Sequence, residues 1–371
     1  MPEDAPTITA RGRRAKGGSR GSAVTDFFGF GMLGIFGFVL YSQEILPPDD
    51  YNLAVPSRKD HIIEWLLAGD PVIRWQVQRD LLDEKPAVYE RERAKVAHKG
   101  WGARYLAAQD KAGTWAQALY SPKWTSTHYT LWTLRFLGLA PKNPQALKAC
   151  EILMDKGFLD DGGIYYTASP KTNERRRDFA ETCITGMALS LFSYFRLDDK
   201  RVELIAKHLI EQQMGDSGWN CRSYKGDKHS SFNTTLLVLE GLREFQGFRP
   251  KSKLPVAAAL KEGREFLLQH RLYRSHRTGN IVKHQFTVAP AQPSWQYDFL
   301  RALDHFQAAK APRDLRLQGA IDLLLSKRAN DGRWDENRAA SGKRWFTMET
   351  AGKPGRWNTL RALWVLKWWK K

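Results

Sequence analysis

Five turns of similar grammar divide most of this chain, at Gly113 to Trp115, Gly162 to Ile164, Gly218 and Trp219, Gly279 and Asn280, and Gly332 to Trp334. Their spacing, roughly 50 to 60 residues, is that of an array of two-helix units that bury their apolar faces only by stacking on neighbours. Helices precede the turns, and Gln109, Gln213 and Gln269 stand near the ends of three of them. After each turn comes a polar loop and a second helix, from about Trp124, Asp178, Ser230, Pro293 and Gly355. The preceding helices are amphipathic, as in Lys200 to Gln213. The following ones are apolar nearly all round, as in TLLVLEGL from Thr235 and TLRALWVL from Thr359, and such helices are buried between neighbours. An outer and an inner set of helices predict an all-α fold, an α/α toroid of about five to six helix-pair repeats.

The stretch Asp160 to Phe195 is the clearest repeat: a Gly-rich turn, a polar segment, and a helix opening at Asp178. Asp178 with Glu181 three residues on is a capping-box spacing, in which side-chain oxygens satisfy orphan backbone amides. Ordered helix begins near His61. Asp70 before Pro71 predicts a capped start with proline where its missing amide costs nothing. That helix carries Ile73, Val77 and Leu81 to about Asp83, and further helical patterns cover Ala87 to Ala97 and Ala103 to Gln109.

The domain organisation follows from composition. Residues 1–26 are polar and basic and read as a disordered tail, and residues 51–371 read as the toroid domain. Between them, 27–50 hold an apolar run and a Pro-rich linker. The run Phe27 to Tyr41 has four glycines and no charge. It is shorter than the roughly 20 residues of a spanning helix, and reads as a short anchor, a signal-peptide core or a packed segment. Three cysteines without a CxxC pair argue against a disulfide framework. They predict a reducing, cytoplasmic setting, with membrane association through 27–41. The net charge of +18 favours acidic partners such as diphosphates, anionic membranes or polyuronates. The basic residues are scattered rather than blocked, which disfavours nucleic acid.

Gln212 to Trp219, Asp331-Gly332-Arg333-Trp334 and the GGI…RDFAETC stretch resemble the squalene/hopene cyclase and protein prenyltransferase β-subunit superfamily, over about residues 61–371. The resemblance implies QW-like turns stacked on helix ends and a central cavity for an isoprenoid or other apolar ligand. It does not extend to the cyclase acid, since no DxDD occurs in this chain, nor is there a DDxxD cluster. The prenyltransferase zinc ligands would fall at Ser126, His128 and Glu181, so the triad is not retained as such. His128 and Glu181 are left, in equivalent register of adjacent repeats. A His and a carboxylate can share a divalent metal such as zinc or act as an acid/base pair.

Extending that register adds Asn233, Tyr297, Asp298, Trp357 and Asn358 as a polar collar at one mouth of the cavity, with Asp298 a third catalytic candidate. Trp124 and Trp295 lie near the same helix starts as ligand platforms, and Arg177 and Arg356 are placed to hold a diphosphate or carboxylate. Capping, packing and solvated loop charge account for these residue types equally well. Three functions remain open: an isoprenoid-handling enzyme of altered chemistry, a lyase or hydrolase acting on an acidic glycan, and a non-catalytic helical-repeat scaffold.

Overall fold

The computed structural model describes residues 60–166, 180–290 and 294–370, all within one compact unit, 52–371. The fold is all-α. Among the described residues only isolated β-bridges accompany the helices, and no helix is long and apolar enough to cross a membrane. The apolar run 27–41, Arg177 and the capping aspartate Asp178 lie outside the described residues.

The chain opens with α1 (His61–Leu67) and α2 (Pro71–Gln76), and α2 continues as a π-helical stretch, Val77–Leu81. Asp70 caps α2 as its sequence predicts, its carboxylate accepting from the Val72 amide at 3.0 Å. Next come α3 (Pro86–Ala94) and α4 (Gly100–Ala107), close to the expected helices. Inner and outer helices then alternate: α5 (Thr127–Leu137), α6 (Pro144–Gly157), α7 (Thr182–Tyr194), α8 (Arg201–Glu211), α9 (Phe232–Phe248) and α10 (Val256–Gln269). The last three are α11 (Phe299–Ala308), α12 (Gln318–Ser326) and α13 (Arg356–Lys370).

The inner helices follow one another in a ring. α5 packs on α7, α7 on α9, α9 on α11, α11 on α13 and α13 on α2. The Trp75 indole of α2 returns to α5 by donating to the Leu137 carbonyl at 3.2 Å. The seam between α13 and the first helices is polar. Lys367 Nζ donates to the carbonyls of Asp80 and Leu81 and meets the Asp83 carboxylate at 2.6 Å, while Arg356 Nε donates to the Trp65 carbonyl at 3.0 Å.

Four of the five turns that organise the sequence share bonds, whereas at the fifth the Gly279 carbonyl accepts from Arg274 at 2.9 Å instead. The Trp115, Trp219 and Trp334 indole N–H groups each donate to a carbonyl ten residues earlier, Tyr105, Leu209 and Leu324 in α4, α8 and α12, at 2.7 to 2.8 Å. Gln109 and Gln213 close the preceding helix by donating to Gly113 and Ser217, and Arg328 does the same to Gly332. A threonine of the following inner helix accepts from the turn amide: Thr127 from Trp115, Thr185 from Ile164, Thr235 from Trp219 and Thr359 from Trp334, each at 3.0 Å. These four threonines pair the turn amides and lock turn to helix; Thr185, Thr235 and Thr359 each stand fourth in their helix, whereas Thr127 is the first residue of α5.

Candidate functional site

The helix starts correct the pairing expected for His128 and Glu181. His128 is the second residue of α5, whereas Glu181 stands just before the first residue of α7, so the two are not equivalent positions. Glu181 is also the N-cap residue of α7, which starts at Thr182 rather than Asp178, and its side chain makes no capping bond. His128 is fully buried among Tyr120, Tyr129 and Tyr166, with ring centroids 5.3 to 5.6 Å away. Burial pushes its pKa down to about 3, so the ring is neutral, and neither nitrogen has a hydrogen-bond partner. No group of three or more His, Cys, Asp or Glu side chains among the described residues is arranged to hold a metal.

The collar residues divide. Asn233, Trp295 and Tyr297 do come together, lining a cavity of about 390 Å³ with Lys283, His284 and Arg338. Asn233 Oδ1 accepts from the Tyr297 amide at 2.7 Å, and Lys123 Nζ sits 5.0 Å above the Trp295 ring. Asp298 caps α11, accepting from the Arg301 amide at 2.8 Å, and burial raises its pKa. Trp124 donates to the Ser341 carbonyl at 2.7 Å and lies under Arg344. Arg356 is engaged at the ring seam, over Trp65.

Asn358 and Trp357 begin α13, where two glutamates serve as caps. Glu336 accepts from the Asn358 amide, and Glu349 from the Arg356 and Trp357 amides, all at 2.9 Å. Burial, and Glu349 beside it, push the Glu336 pKa up to about 9. Ionising Glu336 therefore costs the folded state stability, and this loss grows as pH rises from its unfolded value of 4.5 towards 9. The expected result for Glu336→Gln, which keeps an acceptor for Asn358, is a gain in melting temperature at pH 8 that fades by pH 5. Melts of both proteins across that range that stay parallel would refute it.

A larger cavity lies elsewhere, among the inner helices. It encloses about 500 Å³ between α2, α5, α7, α9, α11 and α13. Trp357 is the one predicted residue that lines it. Seven basic side chains line it against four acidic ones, together with Trp75, Phe136, Trp357 and Trp364, so it joins charged groups to apolar surface.

Most of these charges are paired. Arg301 grips Glu240 with two bonds of 2.8 Å, and its third nitrogen donates to the Ser294 carbonyl. Arg135 donates to Glu244 at 2.9 Å and lies 3.8 Å from Glu240. Burial alone would raise the Glu240 pKa, but Arg301 and Arg135 outweigh it and hold the carboxyl below its usual range.

Asp304 is held differently. Its Oδ2 accepts from Arg361 Nε at 2.5 Å, while Oδ1 is buried with no partner. Burial outweighs Arg361 and pushes its pKa up to about 7, so the protonated acid is within reach near neutral pH. Beside it in sequence, His305 also lacks partners at both ring nitrogens. Burial, then Arg243 and Arg264, lower its pKa well below the usual value, which keeps the ring neutral. Sequence reading passed over Arg135, Glu240, Arg301, Asp304 and Arg361. The available signal was a charge in the middle of a helix otherwise apolar nearly all round.

No family model matches the chain, and no curated protein matches it. Among solved structures, the type II terpene cyclase MstE from Scytonema is similar in two forms. An aspartate-to-asparagine variant in complex with geranylgeranyl dihydroxybenzoate is 14% identical with a TM-score of 0.31, covering 76% of this chain and 96% of that one. The apo protein is 11% identical with a TM-score of 0.29, covering 76% and 97%. At this overlap the likeness transfers neither a substrate nor a residue role.

Proposed function

We propose that the ring is an enzyme whose central chamber takes an acidic small molecule with an apolar tail, of the prenyl diphosphate class, and that Asp304 is its proton donor. The observation that carries this reading is the chamber itself. It has the volume of a small-ligand site, an excess of basic side chains, and one buried carboxyl whose second oxygen is unpartnered. Guanidinium groups suit the head of such a ligand, and Phe136, Trp357 and Trp364 offer surface for its tail. A carboxyl with a pKa near 7 bears a proton at neutral pH but is a weak acid. It suits proton transfer to an oxygen, such as that of a leaving diphosphate, better than protonation of an isolated alkene. The anchoring Arg361 bond leaves Oδ1 as the donating atom.

Thermal melts with geranylgeranyl diphosphate, inorganic diphosphate, squalene and oligouronates test the reading. A ligand at a hundred times its dissociation constant stabilises by about 2.7 kcal/mol, so the prenyl diphosphate is expected to raise the melting temperature most. Stabilisation by squalene alone would mean an apolar ligand, and by oligouronates alone an acidic glycan, which the same charged chamber also suits. Either outcome, or silence across the panel, removes the proposal. Asp304→Asn is expected to keep the stabilisation while turnover falls by about 10²–10⁴-fold.

A further inference from the structure

The cavity of about 390 Å³ around Asn233 and Trp295 shares no lining residue with the chamber. It forms where the first turn of α9 meets the connections from α10 to α11 and from α12 to α13. Its charge is one-sided. Lys283, His284 and Arg338 line it and no carboxylate does, whereas the chamber's arginines face Glu240, Glu244 and Asp304. Lys283 and Arg338 are exposed, and among the described residues neither has an ion-pair partner. Asn233 adds an oriented donor. Its Oδ1 accepts from the Tyr297 amide at 2.7 Å, which turns Nδ2 the other way, and that NH2 group bonds to none of the described residues.

The aromatic walls differ in how fully they are used. Phe286 and Tyr297 pack on each other and on Phe232, with ring centroids 4.9 to 5.3 Å apart, and the Tyr297 hydroxyl donates to the Leu272 carbonyl at 2.6 Å. Trp295 has no ring partner among the described residues. Lys123, which does not line the cavity, sits 5.0 Å over the Trp295 ring, so one face is covered by a cation and the indole still lines the cavity.

We propose that this cavity binds a small phosphate monoester carrying a flat ring, with the ring stacked on Trp295 and the phosphate held by Lys283, Arg338 and the Asn233 amide. Head and ring need different walls, and the cavity supplies both. A phosphate monoester carries about −1.5 to −2 of charge at neutral pH, which matches two unpaired cations, whereas a carboxylate would leave one of them unmatched. Bonds from ammonium, guanidinium and amide N–H groups suit its oxygens. The indole gives the ring an apolar platform.

Isothermal titration of the native, full chain with 1-naphthyl phosphate and adenosine monophosphate tests the site, with inorganic phosphate, 1-naphthol and 1-naphthoate as controls. At least one of the two monoesters is expected to bind once per chain and at least tenfold more tightly than every control. Trp295→Ala is expected to weaken that binding about tenfold, the scale of a lost stacking platform, and Trp295→Phe to recover most of it. Lys283→Ala combined with Arg338→Ala is expected to reduce the monoester to the level of naphthol and to flatten its salt dependence. Circular dichroism establishes that each variant is folded, and the ranking of ligands on wild type stands without them. The proposal is overturned if neither monoester exceeds the controls, if inorganic phosphate or naphthoate matches them, or if the folded Lys283/Arg338 double variant binds as wild type does, since the ligand would then lie elsewhere.

Discussion

Glu240→Ala is expected to lower stability by about 3–5 kcal/mol, the range for removing one partner of a buried ion pair. Glu240 is 3% exposed, receives two bonds from Arg301 and lies 3.8 Å from Arg135. Alanine leaves two guanidinium groups facing one another in the middle of the ring. Arg301 retains the Ser294 carbonyl and Arg135 retains Glu244, so both stay in place, but the charge balance of the chamber changes. Glu240→Gln keeps the shape and one acceptor, and is expected to lose less because the guanidinium groups are still partly solvated by the amide oxygen. Urea unfolding of the three proteins measures the differences. An alanine variant within about 1 kcal/mol of wild type would mean that water reaches these groups well enough to replace the carboxylate.

Gly241→Ala is expected to destabilise and Gly247→Ala to stabilise, although both lie in α9. In an open helix, replacing glycine with alanine gains up to about 1 kcal/mol. Gly247 meets that condition, since nothing lies within 4 Å of its added Cβ. At Gly241 the same carbon lies 2.5 Å from the Gly186 carbonyl oxygen, a backbone atom that cannot rotate away. α7 and α9 must move apart, and overpacking of this kind costs about 1–3 kcal/mol. Melts of the two single variants read the sign directly. If Gly241→Ala were as stable as wild type, the contact between α7 and α9 would have to be looser than described.

The repeats were legible because their signals are local. The glycine turns, the Asp70-Pro71 cap and the contrast between amphipathic and apolar helices each depend on a few adjacent residues. The site was less legible because the sequence was searched at helix starts, where polar residues are expected. Asp298 is in place there as a cap, and Asn233, Trp295 and Tyr297 do share a cavity. His128 is enclosed by tyrosines, however, which follows from neighbours that spacing does not reveal. The chamber charges stand within TLLVLEGL and TLRALWVL themselves. Glu240 and Arg361 interrupt runs whose apolar character carried the reading of buried helices, and their significance depends on partners about 60 residues away, Arg301 and Asp304. The turns are also locked by threonines that look ordinary in sequence, since each one's partner is a turn 12 to 25 residues earlier.

The polar seam at α13 bears on how the protein reaches its native state. Arg356 and Trp65 are separated by 291 positions, so this contact closes almost the whole domain into one loop, at an entropy cost that grows only slowly with loop length. Closure of the ring is therefore a non-local step, of the kind that slows folding.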